Sequence, residues 1–173
     1  MKMKVFRTIL FLSVPFLINA QNDIFEIARN GCFEDLDYVL THDYESINFK
    51  NSSGFTPLIL ASYHDNIEIA SILVKKVRNI DALSNMGTAL MASVFKNHIN
   101  ITKLLIDAGA DVNITDPSGT SALHYAVRFG YTEQVELLIA SGADKNLLDN
   151  NDKSPLDYAN QLNNNTIINL LNK

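Results

Sequence analysis

The side chains best suited to chemistry in this 173-residue chain are four histidines, His42, His64, His98 and His124, and one thiol, Cys32. Imidazoles bind metal or move protons only where they converge, and a helical zinc pair needs the His-x-x-x-His spacing that puts both rings on one face. No two of the four stand at that spacing. Cys32 has no sequence neighbour that would activate it, so a nearly buried, inert thiol is the expectation. Gly31, Gly54, Gly109 and Gly130 are too far apart to form a phosphate loop and read as turn glycines. Asp111 and Asp144 stand 33 residues apart (144 − 111) and repeat a position instead of pairing for general acid–base work. No catalytic or metal-ligating constellation is visible, no cofactor is implied, and the chain is expected not to be an enzyme.

The same interval runs through the rest of the sequence. Thr56-Pro57-Leu58, Thr88-Ala89-Leu90, Ser121-Ala122-Leu123 and Ser154-Pro155-Leu156 follow one another at steps of 32 (88 − 56), 33 (121 − 88) and 33 (154 − 121). A fixed period of this size marks a stack of like supersecondary units, not one globular core. A hydroxyl, then a small residue or proline, then leucine reads as N-cap, first helical residue and first apolar residue. Short helices are therefore predicted from Pro57, Ala89, Ala122 and Pro155. Apolar residues at helical spacing predict a second helix in each unit, carried by Ile69, Ile72 and Leu73, by Ile101, Leu104 and Leu105, and by Val135, Leu138 and Ile139. Gly109 and Gly142 stand where that helix must stop, because glycine enters the left-handed region without a Cβ clash. Asn51-Ser52-Ser53-Gly54 and Asp116-Pro117-Ser118-Gly119 are turn sequences.

These motifs resemble the ankyrin repeat, whose T-P-L-H-x-A signature is matched by Thr56-Pro57-Leu58-Ile59-Leu60-Ala61 and Ser121-Ala122-Leu123-His124-Tyr125-Ala126. Gly-Ala-Asp-x-Asn at 109–113 and 142–146 belongs to the same pattern, with its Asp 23 residues after the hydroxyl in both units (111 − 88 and 144 − 121). The resemblance implies an all-α solenoid of about five helix-turn-helix units joined by β-hairpin-like loops. The units are expected at 21–53, 54–85, 86–118, 119–151 and 152–173, the first and last being caps. In the first, Asn22-Asp23-Ile24 replaces the Thr-Pro-Leu; in the last, Asn160, Gln161, Asn163, Asn164 and Asn165 supply a polar outer side. Two departures stand out in the third unit. Gly87 abuts Thr88, which shortens its hairpin by one residue, and Ser93 replaces the usual alanine.

Ahead of the repeats, Lys2, Lys4 and Arg7 precede a mainly apolar run from Thr8 to Ile18, followed by Asn19-Ala20 and then polar residues. Basic, apolar, then small is the layout of a secretory signal peptide, expected to be cut after Ala20 and so to leave no membrane span. With Cys32 alone no internal disulfide can form. Asn51, Asn100, Asn113 and Asn164 begin glycan-acceptor triplets, and Asn113 lies inside the hairpin motif, where a glycan would compete with packing. A route without such glycosylation is favoured, hence the bacterial periplasm, with secretion as the alternative.

The formal charge of −5 becomes −8 on losing three cations with the signal (−5 − 3), and no long basic run remains. Nucleic acid is thus an unfavourable partner, and a basic protein patch a better one. The resemblance implies recognition through a concave groove of hairpin tips and first helices. Carried onto this sequence, that groove offers Phe55, Tyr63, His64, Phe95, Lys96, Thr120, Arg128 and Phe129. The pairs Tyr63/His64, Phe95/Lys96 and Arg128/Phe129 fall at equivalent places and are expected to align as one stripe, suited to hot-spot contacts or to packing between repeats. His124 is expected, as in the family, to bond the hydroxyl of Ser121. The function expected is a monomeric scaffold for a partner protein. The alternatives are an immunity or inhibitor protein for a toxin or hydrolase, or an accessory protein protecting a periplasmic redox enzyme, as the resemblance to small exported bacterial ankyrin proteins implies.

Overall fold

The computed structural model describes residues 23–173, so the expected signal segment and its cut after Ala20 lie outside the described residues. Among the described residues ten α-helices form five antiparallel pairs. These are α1 (Ile24–Asn30) with α2 (Phe33–His42), α3 (Pro57–Tyr63) with α4 (Ile67–Leu73), α5 (Ala89–Phe95) with α6 (Ile99–Asp107), α7 (Ala122–Arg128) with α8 (Thr132–Ala140), and α9 (Pro155–Gln161) with α10 (Asn165–Leu171). A short 3₁₀ turn, Tyr44–Asn48, follows α2. Among the described residues there is no strand, only isolated bridges at Ser84–Gly87 and Thr115–Ser121.

Helix starts follow the hydroxyls. The side-chain oxygens of Thr56, Thr88, Ser121 and Ser154 accept the N–H three residues on, from Ile59 (3.3 Å), Met91 (3.3 Å), His124 (3.4 Å) and Asp157 (3.2 Å). Each such cap satisfies an orphan donor and contributes about 1 kcal/mol. Seven-residue helices are too short to persist alone, so their stability comes from stacking. Neighbouring first helices lie side by side from α1 through α9, and the second helices form a parallel layer behind them. The leucine of each interior signature, Leu58, Leu90 and Leu123, points into the shared core, where Ile69, Leu73, Ile101, Leu105, Val135 and Leu138 meet it fully buried.

In the three interior units the length of the second helix tracks one residue type. α6 and α8 run nine residues each and are followed by Gly109 (φ 89°) and Gly142 (φ 86°). The equivalent place in the second unit holds Val77 (109 − 32), a β-branched residue that is strained at positive φ. There α4 runs only seven residues, ending at Leu73.

The shortened hairpin is real. In three hairpins the closing bond joins residues four apart, Asn51 N to Phe55 O (2.9 Å), Asp116 N to Thr120 O (3.0 Å) and Asp149 N to Lys153 O (3.0 Å). In the third unit it joins Ser84 N to Gly87 O at 3.0 Å, three apart. The other departure is compensated inside the same helix pair. Ser93 Oγ lies 2.9 Å from Thr102 Oγ1, both fully buried, where the next unit has Ala126 and Val135 in those places (93 + 33 and 102 + 33).

Two expectations need correction. Cys32 is exposed, because it stands at the N-cap of α2 where its backbone N–H donates to Asp35 (3.2 Å) and its side chain turns outward. Gly31 is no left-handed turn glycine: its φ is −78°, and it is needed because a Cβ there would lie 2.7 Å from the Ile27 Cα.

Candidate functional site

The first helices end at equivalent places, so the residues that close them line up across repeats. Tyr63 and Phe95 have ring centroids 6.4 Å apart and nearly parallel, and Phe95 meets Phe129 edge-on at 5.3 Å. Phe129 continues the row to Tyr131 at 5.6 Å. Lys96 Nζ lies 5.0 Å from the centre of the Tyr63 ring, and the Arg128 guanidinium 5.2 Å from that of Tyr158. The rings pack on one another across repeats, and Phe95 is still 36 % and Phe129 46 % exposed. His64 is exposed beside Tyr63, and Phe55 is half-buried against the core. Thr120 stands apart from the stripe. It is only 3 % exposed, its N–H donates to Asp116 (3.0 Å), and its hydroxyl lies 2.9 Å from that of Ser118, so it serves the hairpin.

A second row, absent from the expected site, lies just behind the first. Tyr125 and Tyr158 stand 33 residues apart (158 − 125), and each donates its hydroxyl to the aspartate that opens its own hairpin, Tyr125 to Asp116 at 2.7 Å and Tyr158 to Asp149. The other oxygen of each carboxylate accepts two turn N–H groups, from Ser118 and Thr120 in one case and from Asn151 and Lys153 in the other. Burial works against the ionised form of Asp149, but the Tyr158 hydroxyl and the Asn151 and Lys153 amides outweigh it and hold the carboxyl at about 2. Burial and the bonded Asp116 carboxylate together push Tyr125 up to about 12. The signal was legible as two tyrosines and two aspartates recurring at one period nine residues apart (125 − 116 and 158 − 149).

The two earlier units lack that tyrosine. Its places hold Leu60 and Ala92 (125 − 33 = 92; 92 − 32 = 60), and the hairpins open with Asn51 and Ser84 in place of aspartate. Beside α5 the small Ala92 thus stands where the following units carry tyrosine, next to a hairpin one residue shorter. The result is a cleft of about 350 Å³ lined by Leu60, Tyr63, Met86, Ala92, Phe95 and Tyr125, with Arg29 and His64 at its rim.

Two of the histidines, His124 and His98, do structural work. His124 is fully buried, its Nε2 donating to the Lys153 carbonyl (3.1 Å) and its Nδ1 accepting from the Ser121 hydroxyl (2.8 Å) and amide (3.2 Å). That pattern requires the neutral ring, and burial lowers its pKa. His98 reaches back to the Tyr63 carbonyl in the preceding unit at 3.2 Å. Asp111 and Asp144 each accept the N–H two residues on, at 2.8 Å, as hairpin residues. Among the described residues no group of three or more His, Cys, Asp or Glu side chains comes together to hold a metal. The exposed Cys32 thiol is not activated either: the Asp35 backbone N–H lowers its pKa, but the Glu34 and Asp35 carboxylates prevail and raise it.

Stacked seven- to ten-residue helix pairs at a 33-residue period, with capping hydroxyls and a buried signature histidine, define a helical repeat protein whose working surface is its row of first helices and hairpins. The chain belongs to the ankyrin-repeat family, matching the family described as ankyrin repeats (3 copies) over residues 24–116 and 108–173. Ankyrin repeats are generally protein–protein interaction modules. The chain is 30 % identical over 102 residues to the mouse (Mus musculus) ankyrin repeat and SAM domain-containing protein 6, covering 58 % of this chain and 12 % of the relative. It is 29 % identical over 129 residues to the E3 ubiquitin-protein ligase KEG of Arabidopsis thaliana, covering 70 % and 8 %, and 47 % identical over 47 residues to mouse protein phosphatase 1 regulatory subunit 12A, covering 27 % and 5 %. The chain thus spans about a tenth of the length of these relatives, or less. No helix of the described residues is long and apolar enough to cross a membrane.

Proposed function

We propose that this chain is a non-catalytic scaffold that holds a partner protein on the face made by its first helices and hairpin tips, and that it does so in the bacterial periplasm. One observation carries the binding reading: the exposed Phe95, Lys96, Arg128 and Phe129 form one row with the half-buried Tyr63 across three successive repeats. Large aromatics and arginine are the side chains that dominate binding energy at interfaces. A stack braced by caps, buried leucines and inter-repeat bonds offers them preformed, so little ordering entropy is lost on association.

Export rests on the signal-peptide layout of residues 1–20. Asn113 supports a route without glycosylation, because its side chain bridges repeats: its Nδ2 donates to the Gly142 carbonyl (3.1 Å) and its Oδ1 accepts from the Asp144 amide (2.7 Å). A glycan on that Nδ2 would set a sugar against the nitrogen that reaches the Gly142 carbonyl. Affinity purification from the native envelope fraction, with wild type and with Phe129→Ala, tests the proposal. The expected outcome is a partner retained by wild type and lost by the variant while the melting temperature changes little. A large fall in melting temperature with the partner still bound would make the stripe a packing feature only. Recovery of the protein in the cytosol with Met1 retained would overturn export.

A further inference from the structure

The cleft beside α5 joins two sequence departures that serve no purpose in the stack. A small Ala92 replaces the tyrosine of the next two units, and the hairpin ending at Gly87 is one residue short, leaving Met86 58 % exposed at the mouth. The space left is about 350 Å³, at the small end of binding clefts, which run from about 300 to 1,000 Å³. Its walls are aromatic and thioether, and methionine adapts to varied apolar shapes.

Charge around the cleft is one-sided. Residues 57–64, 89–96 and 122–129, the three interior first helices with the residue that closes each, contain no Asp or Glu, although the chain as a whole carries −5. They contribute Lys96 and Arg128, and Arg29 stands at the rim. The nearest carboxylates are engaged: Glu26 is paired with Arg29, and Asp65 lies 3.6 Å from His98. Among the other acids, Glu34 and Asp37 lie on α2, Glu68 on α4 and Glu136 on α8, all in the second-helix layer, and Asp152 stands two repeats away at the tip of the last hairpin. Burial, then the proximity of Arg29 and Lys96, lowers the pKa of the His64 imidazole, with Glu26 pulling the other way.

Resting on the interaction reading above, we propose that this cleft receives one large apolar side chain, of leucine, methionine or phenylalanine size, from a partner polypeptide whose flanking residues are acidic. The apolar side chain fills the place that Tyr125 and Tyr158 fill in the following units, and the flanking carboxylates meet Lys96 and Arg128, Arg29 being already paired with Glu26. The whole chain is acidic, so a partner chosen by overall charge would be basic; the local charge of the first-helix face reverses that choice.

The test is selection of a displayed random-peptide library on the mature protein, with Ala92→Tyr as the filled-cleft comparison. Tyrosine is the side chain the fold already carries at this place in two other units, so the variant keeps the stack. Enriched peptides should share an apolar residue next to Asp or Glu, and a synthetic consensus peptide should bind Ala92→Tyr at least about tenfold more weakly. Its affinity should also fall between about 0.05 and about 0.5 M salt. A photoreactive group on the anchor residue should crosslink to Met86, Met91 or Tyr63 in wild type, a readout that needs no variant. Enriched basic peptides, or crosslinks on the second-helix layer, would overturn the proposal. So would concentration-dependent self-association abolished by Ala92→Tyr, which would make a second copy the occupant. Peptides that ignore Ala92→Tyr but are lost with Phe129→Ala would remove the anchor and leave the broader binding face standing.

Discussion

Gln134→Ile should make this protein more stable. Gln134 lies on α8 with no exposed surface, and neither its amide oxygen nor its amide nitrogen has a hydrogen-bond partner. The same place in three other units holds Ile69, Ile101 and Ile167 (134 − 33 = 101; 101 − 32 = 69; 134 + 33 = 167), each with no exposed surface. Leaving a polar group buried and unpaired costs about 1–3 kcal/mol, and the isoleucine removes that cost while keeping the site filled. Fitting the β-branched shape gives back up to about 1.5 kcal/mol. Taking mid-range values, about 2 less about 0.75, the net gain is about 1 kcal/mol, which for a domain of this size raises the melting temperature by about 2–4 °C. Circular dichroism through thermal and urea unfolding measures it, and because repeat stacks can lose cooperativity, the two midpoints should be compared. An unchanged or lower midpoint would refute the reasoning and mean that the amide is paired, most simply by a buried water.

The Ser93–Thr102 bond should behave as a coupled pair. Ser93→Ala and Thr102→Val should each cost about 0.5–1.5 kcal/mol, while the double variant, which copies Ala126 and Val135, should return close to wild type; additive losses in a double-mutant cycle would deny the coupling. Acid should unfold the protein in two stages. Burial holds the native pKa of His124 below its ordinary value of 6.5, so the unfolded chain takes up that proton first and stability falls as pH drops from 6.5 toward the native value. Asp149, at about 2 in the native state against an ordinary 3.8, contributes fully above 3.8 and loses its contribution as pH falls through about 2. Urea midpoints across this range should show the lower stage flattened in Asp149→Asn, and an unaltered acid limb would remove Asp149 from the account.

The period, the caps and the buried leucines were legible in the residues alone, because each depends on partners within one turn of helix or in a neighbour built to the same pattern. Thr56, Thr88, Ser121 and Ser154 cap the backbone three residues on whatever lies elsewhere. The bond from His124 to Ser121 is local in the same way. The stripe was foreseeable for the same reason, since equal offsets in stacked units place side chains in a row.

What only the tertiary structure decided are the properties that depend on which surface remains free after stacking. Thr120 shares its hairpin position with the half-buried Phe55 and Lys153 yet is itself buried, and Cys32 is exposed because it caps α2 with its side chain outward. The cleft is the fullest case. Ala92, the short turn at Gly87 and the rings of Tyr63 and Tyr125 come from three different repeats, and an empty volume belongs to none of them until packing brings their surfaces together.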